Sequence, residues 1–211
     1  MRAMLEPEGR IPPDLVLGVS TSAHQIEGGD EHTDWWAFEE SGRVRNGDVS
    51  GVAADFWNLY ARDVALMRLH AVQSHRMSLS WGRIEPAEGK FDDDALERYA
   101  EIVAAHTAAG IRVGITLLHF ALPQWLAAQG GMLAPEAPER FARFVRVVAQ
   151  RLRSKIWHWY TINEPLVQAD QGYRRGVWPP GTKRHLAVPR VLRALLRAHC
   201  CCPRSLRLVS P

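Results

Sequence analysis

Cysteine is nearly absent from this 211-residue chain: the three present are consecutive, Cys200-Cys201-Cys202. With no cysteine elsewhere to pair with, a disulfide framework is excluded, and the pattern fits a reducing compartment. Three adjacent thiols without partnering histidines also lack zinc spacing. Lysine is scarce, confined to Lys90, Lys155 and Lys183, so arginine supplies most of the basic charge behind the net +3. No apolar run is long enough to span a bilayer, and the N-terminus lacks the apolar core of a secretion signal. A cytoplasmic protein without membrane contact is the expectation. No Walker loop, Gly-x-Gly-x-x-Gly fingerprint or His-Glu-x-x-His is present, which removes the commonest nucleotide and metalloprotease signatures. The basic stretch Lys183, Arg184, Arg190, Arg193 and Arg197 has no interleaved aromatic platform. It reads as a solvated face, and no nucleic-acid partner is expected.

What is present is led by Trp159-Tyr160-Thr161-Ile162-Asn163-Glu164-Pro165. A β-prone run ends in a polar pair and a proline that cannot donate to a ladder. The pair is either a strand end left in water or chemistry placed at a strand's carboxyl tip, where α/β folds keep their sites.

The rest of the chain alternates strands and helices. Leu15 to Ser20, Val72 to Trp81, Ile111 to Phe120 and Ile156 to Asn163 read as strands. Between them, Phe56, Leu59, Tyr60, Val64 and Met67 recur at helical spacing, as do Leu96, Tyr99, Ile102, Val103 and His106. A third helix carries Phe141, Phe144, Val145, Val148 and Leu152. A last one begins near Pro189 with Val191, Leu192, Leu195 and Leu196. Asp94 and Glu97 suit a capping box, and Gly110 suits a helix C′ position. His70 stands where the first helix should end. Four βα units imply an α/β fold with a parallel sheet. The long connections, Thr21 to Ala54 and Leu166 to Pro189, follow strands and lie on the active face of such folds.

These residues carry a resemblance. Gly18-Val19-Ser20-Thr21-Ser22-Ala23-His24-Gln25-Ile26-Glu27-Gly28 resembles the N-terminal signature of family 1 glycoside hydrolases, the β-glucosidase and β-galactosidase family. Arg76 to Trp81, Thr116 to Phe120 with Leu122-Pro123, and Thr161 to Pro165 resemble its second, third and fourth strands. Gly176-Val177-Trp178-Pro179-Pro180-Gly181 follows as in some members. The resemblance runs from about Leu15 to His199. It implies a (β/α)₈ TIM barrel, here an N-terminal half-barrel of about four βα units over residues 1–199, and a retaining β-glycosidase activity without a cofactor or metal.

The resemblance also assigns roles. Glu164 matches the general acid/base. Gln25, His119 and Asn163 match residues that bind sugar hydroxyls, and Arg76 matches an arginine beside the nucleophile. Amide and imidazole groups both donate and accept, which suits a ring of hydroxyls. Trp81, Trp125 and Trp178 are either flat walls for sugar faces or ordinary core and loop packing. Ala121 and His75 depart from the commoner family residues, and Phe120 replaces a usual tryptophan.

A retaining glycosidase needs two carboxylates roughly 5–5.5 Å apart. The family's nucleophile sits in a Thr-Glu-Asn-Gly segment, which these residues do not contain. The expectation is therefore a β-glucosidase-like chain with its acid/base but without its nucleophile half. As an isolated polypeptide it should be inactive, or act as a half-barrel that binds a β-glycoside or monosaccharide weakly, or assemble with a complementary half. Open sheet edges should promote self-association. Residues 200–211 look foreign to the family pattern and read as a frame-shifted or alternatively spliced tail.

Overall fold

The computed structural model describes residues 15–207, with side chains as far as Cys202. Residues 1–14 and 208–211, which include the ends of both expected domains, lie outside the described residues. Four strands form one parallel sheet in the order β1 (Gly18–Ser20), β2 (Ser74–Ser78), β3 (Arg112–Leu118), β4 (His158–Ile162). The register sets Ser20 beside Arg76, Arg76 beside Gly114, and Leu118 beside Ile162. Each strand is followed by helical structure, as the sequence pattern predicts. After β1 come α1 (Ala23–Ile26), α2 (Asp34–Glu40) and α3 (Phe56–Leu69). After β2 come α4 (Trp81–Ile84) and α5 (Asp93–Ala108). After β3 come α6 (Gln124–Ala128) and α7 (Ala137–Leu152), and after β4 come α8 (Pro165–Ala169) and α9 (Val188–Arg207). The two long connections thus contain helices of their own.

The core lies between the sheet and the long helices. Past Arg112 every residue of β3 is buried, as befits a strand covered on both faces. The α7 residues read from the 3.6-residue period, Phe141, Phe144, Val145, Val148 and Leu152, are all fully buried. Val191 and Leu195 of α9 pack with them, while Leu196 points out and is more than half exposed. The edge strands differ: β1 is exposed throughout, and β4 is at best half-buried.

Several local expectations are corrected. β1 is shorter than Leu15 to Ser20. The Leu17 amide is taken by the Gln73 side chain, and the Leu17 carbonyl accepts from Gln73 and Ser74, so pairing starts at Gly18. β2 stops at Ser78 because Ser80 caps α4, accepting from the Arg83 amide at 3.0 Å. Helix α5 is capped by Asp92, which accepts from the Ala95 amide at 2.9 Å, and not by Asp94, which lies inside its first turn.

The end of α3 is displaced by one residue. His70 keeps a near-helical φ of −91°, and the left-handed C′ position falls on Ala71 at φ +54°. The Val72 amide reaches the Met67 carbonyl and the Ala71 amide the Arg68 carbonyl, a complete Schellman motif. The same pair of bonds closes α5 around Gly110, as expected from sequence.

The helix α9 runs without a break across residue 199 to Arg207. Cys202 is fully buried in the core, its thiol donating to the Ala198 carbonyl at 3.2 Å, while Cys200 is exposed.

Candidate active site

The polar residues singled out by sequence fall into two clusters, one around Arg76 and Asn163 and one around Gln25 and His119. Arg76 lies at the centre of β2. Its Nε donates to Thr116 Oγ1 at 2.9 Å and its Nη2 to Asn163 Oδ1 at 2.6 Å. Its guanidinium carbon lies 4.8 Å from the centre of the Tyr160 ring. Gly114 makes room for that ring, since a Cβ there would meet Tyr160 at 2.9 Å. Among the described residues no carboxylate pairs with Arg76, so a guanidinium with five donors spends two on neutral groups.

Asn163 is 9% exposed, and its backbone amide donates to the Leu118 carbonyl at 2.9 Å. Because Arg76 claims its Oδ1, its amide nitrogen remains a donor. Glu164 follows at φ +40°, in the left-handed region, as the N-cap of α8 with Pro165 in the first turn. Its side chain caps nothing and is exposed. Pro165 ends the ladder, and the tight turn presents the carboxylate beside Asn163.

Gln25 and His119 meet elsewhere, in a cavity of about 270 Å³ that Trp35, Phe120 and Trp178 also wall. Gln25 Oε1 accepts from Ser22 Oγ at 2.6 Å, which leaves its NH₂ group to donate. His119 Nδ1 is buried without a hydrogen-bond partner among the described residues. Burial, and then the charge of Arg76, lower the His119 pKa to about 4, so its imidazole is neutral near pH 7. That same charge ties the two clusters together. Phe120, at φ +70°, turns its ring onto His119 and Trp178, each 4.9 Å away between centres.

Of the three tryptophans, only Trp178 lines this cavity. Trp81 is 1% exposed, stacks on Phe144 at 5.1 Å, and donates to Glu85. Trp125 donates to the Glu85 carbonyl and packs edge-on against Trp81.

Sequence reasoning missed His24 and Glu39, which line the same cavity. His24 Nε2 lies 2.9 Å from Glu39, and Nδ1 lies 3.4 Å from Asp30. Burial disfavours the imidazolium, but these two carboxylates outweigh it and raise the His24 pKa. Burial also works against the Glu39 carboxylate; bonds from the Ser50 hydroxyl and amide outweigh it and hold the pKa below the usual value. The one available signal was the position of His24 directly before Gln25. Among the described residues no group of three or more His, Cys, Asp and Glu side chains is arranged to hold a metal. No helix among them is long and apolar enough to cross a membrane.

A parallel sheet of four βα units is part of a (β/α)₈ barrel, a fold whose sites lie at the carboxyl ends of the strands. The sequence model of glycosyl hydrolase family 1 matches residues 8–207, and the chain belongs to that family. Beta-glucosidase A of Thermotoga maritima is 33% identical over 197 residues, covering 90% of this chain and 44% of its own length. A 1,4-beta-D-glucan glucohydrolase of Thermotoga neapolitana is also 33% identical, with 46% of its length covered. The β-glucosidase of T. maritima solved in complex with glucoimidazole superposes with a TM-score of 0.91 at 32% identity, covering 94% of this chain and 47% of that one. An enzyme from Alicyclobacillus herbarius gives the same score and identity, covering 95% and 47%. The chain therefore spans about half the length of the curated relatives it matches.

Proposed function

We propose that this chain carries the glycone-binding and acid/base portion of a retaining β-glucosidase. Glu164 protonates the departing glycosidic oxygen and later takes a proton from water. Asn163, Gln25 and His119 bind the sugar hydroxyls, and Trp178 faces the ring. Arg76 is the counter-charge awaiting a nucleophilic carboxylate supplied by the other half of the barrel. The observation that supports this reading is the Arg76–Asn163 hydrogen bond, which ties Arg76 to the residue directly before Glu164. The 211-residue polypeptide alone has no second carboxylate assigned to attack, so it binds sugar weakly and does not hydrolyse it. The open edges β1 and β4 are the surfaces through which it pairs with a complementary half or with itself.

The test supplies strands five to eight of a family relative as a co-expressed fragment and assays aryl β-glycosides. In the complemented enzyme, Glu164→Gln should slow substrates with poor leaving groups far more than activated ones. Azide should restore turnover of the activated ones by attacking the glycosyl-enzyme without a general base. Equal activity of Glu164→Gln on poor-leaving-group substrates would overturn the assignment.

A further inference from the structure

A second cavity lies apart from the one that holds Gln25 and His119. It measures about 410 Å³, lies between α2, α6 and the Pro179–Thr182 turn, and shares no lining residue with the sugar cavity. Its polar groups are incompletely satisfied. Gln168 is only 7% exposed; its Nε2 donates to the Phe120 carbonyl at 3.1 Å, while its Oε1 has no partner among the described residues. Thr182 Oγ1 is buried and equally unpartnered. Tyr173 is 5% exposed, and no described group hydrogen-bonds its hydroxyl. Asp34 uses Oδ1 to accept from the Leu122 amide at 2.8 Å. Gly131, at φ +59°, helps keep the space clear, since a Cβ there would stand 3.4 Å from the Tyr173 hydroxyl.

We infer that this cavity is a second small-molecule site, built for a neutral polyhydroxylated ligand of monosaccharide size. Native proteins leave few buried polar atoms unpaired, and two in one cavity beside a free phenol mark missing partners. An apolar ligand would leave Gln168 and Thr182 unsatisfied. An anion would meet the Asp34 carboxyl; of the two lining arginines, Arg43 is already engaged with the Pro180 carbonyl and the Phe38 ring, and Arg184 is exposed to solvent. Hydroxyls fit: they donate to Gln168 Oε1 and Asp34, exchange bonds with Thr182, and accept from Tyr173. Phe38 and Pro179 offer flat apolar walls to the C–H faces of such a ligand. The site backs onto the sugar cavity through Phe120, whose ring lines one cavity and whose carbonyl binds Gln168 in the other. The inference does not depend on the acid/base assignment.

The experiment is an NMR titration of the whole chain with D-glucose and with sorbitol into the millimolar range. The Gln168 side-chain amide and the Leu122 and Thr182 backbone amides should shift together. Tyr173→Phe and Thr182→Val, each removing one hydroxyl, should weaken that binding roughly three- to tenfold without moving the response of Gln25 and His119. The inference is overturned if these signals stay still, which leaves a cavity holding water only. It is also overturned if they respond to inorganic phosphate and not to polyols, or if both variants bind as tightly as the parent.

Discussion

Helix α5 carries two buried polar clusters on one face, two turns apart, and they solve the same problem in opposite ways. At Tyr99 the buried group is an acid that burial holds in its protonated form. The Tyr99 hydroxyl accepts from the Ser80 amide and donates to Glu27, which is 1% exposed and lies 3.5 Å from Arg83. Burial, then the charge of Asp30, push the Glu27 carboxyl up to about 8; Arg83 and Tyr99 offset only part of this. At His106 the buried groups are bases that burial holds in their deprotonated form. Its Nδ1 can only donate to the Ile102 carbonyl, 2.8 Å away, so its Nε2 must accept from His75 Nδ1 at 2.9 Å. His75 Nε2 must then accept from the Thr21 hydroxyl at 2.9 Å. One chain of donors fixes both tautomers and leaves no nitrogen unpaired. Both rings are fully buried. Burial lowers both pKa values, that of His75 to about 3 with the proximity of His106 adding to the effect.

The difference teaches that burying ionisable groups sets a pH response whose sign depends on which form is neutral. Glu27 has a folded pKa near 8 against an ordinary 4.5, so its contribution is fully present below 4.5 and is lost as pH rises towards 8. His75 has a folded pKa near 3 against an ordinary 6.5. Its contribution is present above 6.5 and is lost as pH falls towards 3.

The largest break in this comparison is Glu27→Leu, which leaves the Tyr99 hydroxyl proton without its acceptor and Arg83 without its buried carboxyl neighbour. It should cost ~3 kcal/mol or more in urea denaturation at neutral pH. Glu27→Gln should cost much less, because the native group is mostly protonated there. A glutamine as damaging as the leucine would show that the carboxylate is ionised. Next comes acid. Below pH 6 the unfolded chain binds a proton that His75 refuses, and stability should fall by up to ~1.4 kcal/mol per pH unit. The double variant His75→Phe/His106→Leu removes both partners and should lose that slope while staying close to the parent at pH 7. An unchanged slope would place the acid sensitivity elsewhere. Tyr99→Phe should cost about 1–3 kcal/mol, because it orphans the Ser80 amide and removes one donor to Glu27. The smallest effect concerns how the two neighbouring helices end. Ala71→Gly should stabilise by ~1 kcal/mol and Gly110→Ala should destabilise by about as much, since both sites are left-handed. Equal melting temperatures for parent and Ala71→Gly would show that the motif carries no strain.

Much of the fold was legible because its signals are local. The apolar spacing of α7 found every buried residue it named, and Pro165 placed Asn163 and Glu164 at a strand end. What stayed hidden depends on partners far along the chain. Glu27 carries no local mark; its surroundings are made by Tyr99 and Arg83 from the next βα unit. His75 was visible only as a departure from family usage, and His106 only as a member of an apolar face. Their pairing exists because β2 packs on α5. Trp81 looked like a strand end and a sugar wall because Ser80, read as strand, acts as a cap. The glycine rule missed the end of α3 by one residue because alanine takes a left-handed turn when both Schellman bonds compel it.

The left-handed residues Phe120 and Glu164 stand at the carboxyl ends of β3 and β4, where the candidate site begins. A side chain there is held against its own backbone preference by ~1–2 kcal/mol. Random mutagenesis scored for heat resistance alone would therefore enrich glycine at both positions. Those survivors would have discarded the ring that lines the Gln25–His119 cavity and the carboxylate that follows Asn163. At these two codons, selection for durability alone would favour a residue with no side chain to contribute to the strand ends.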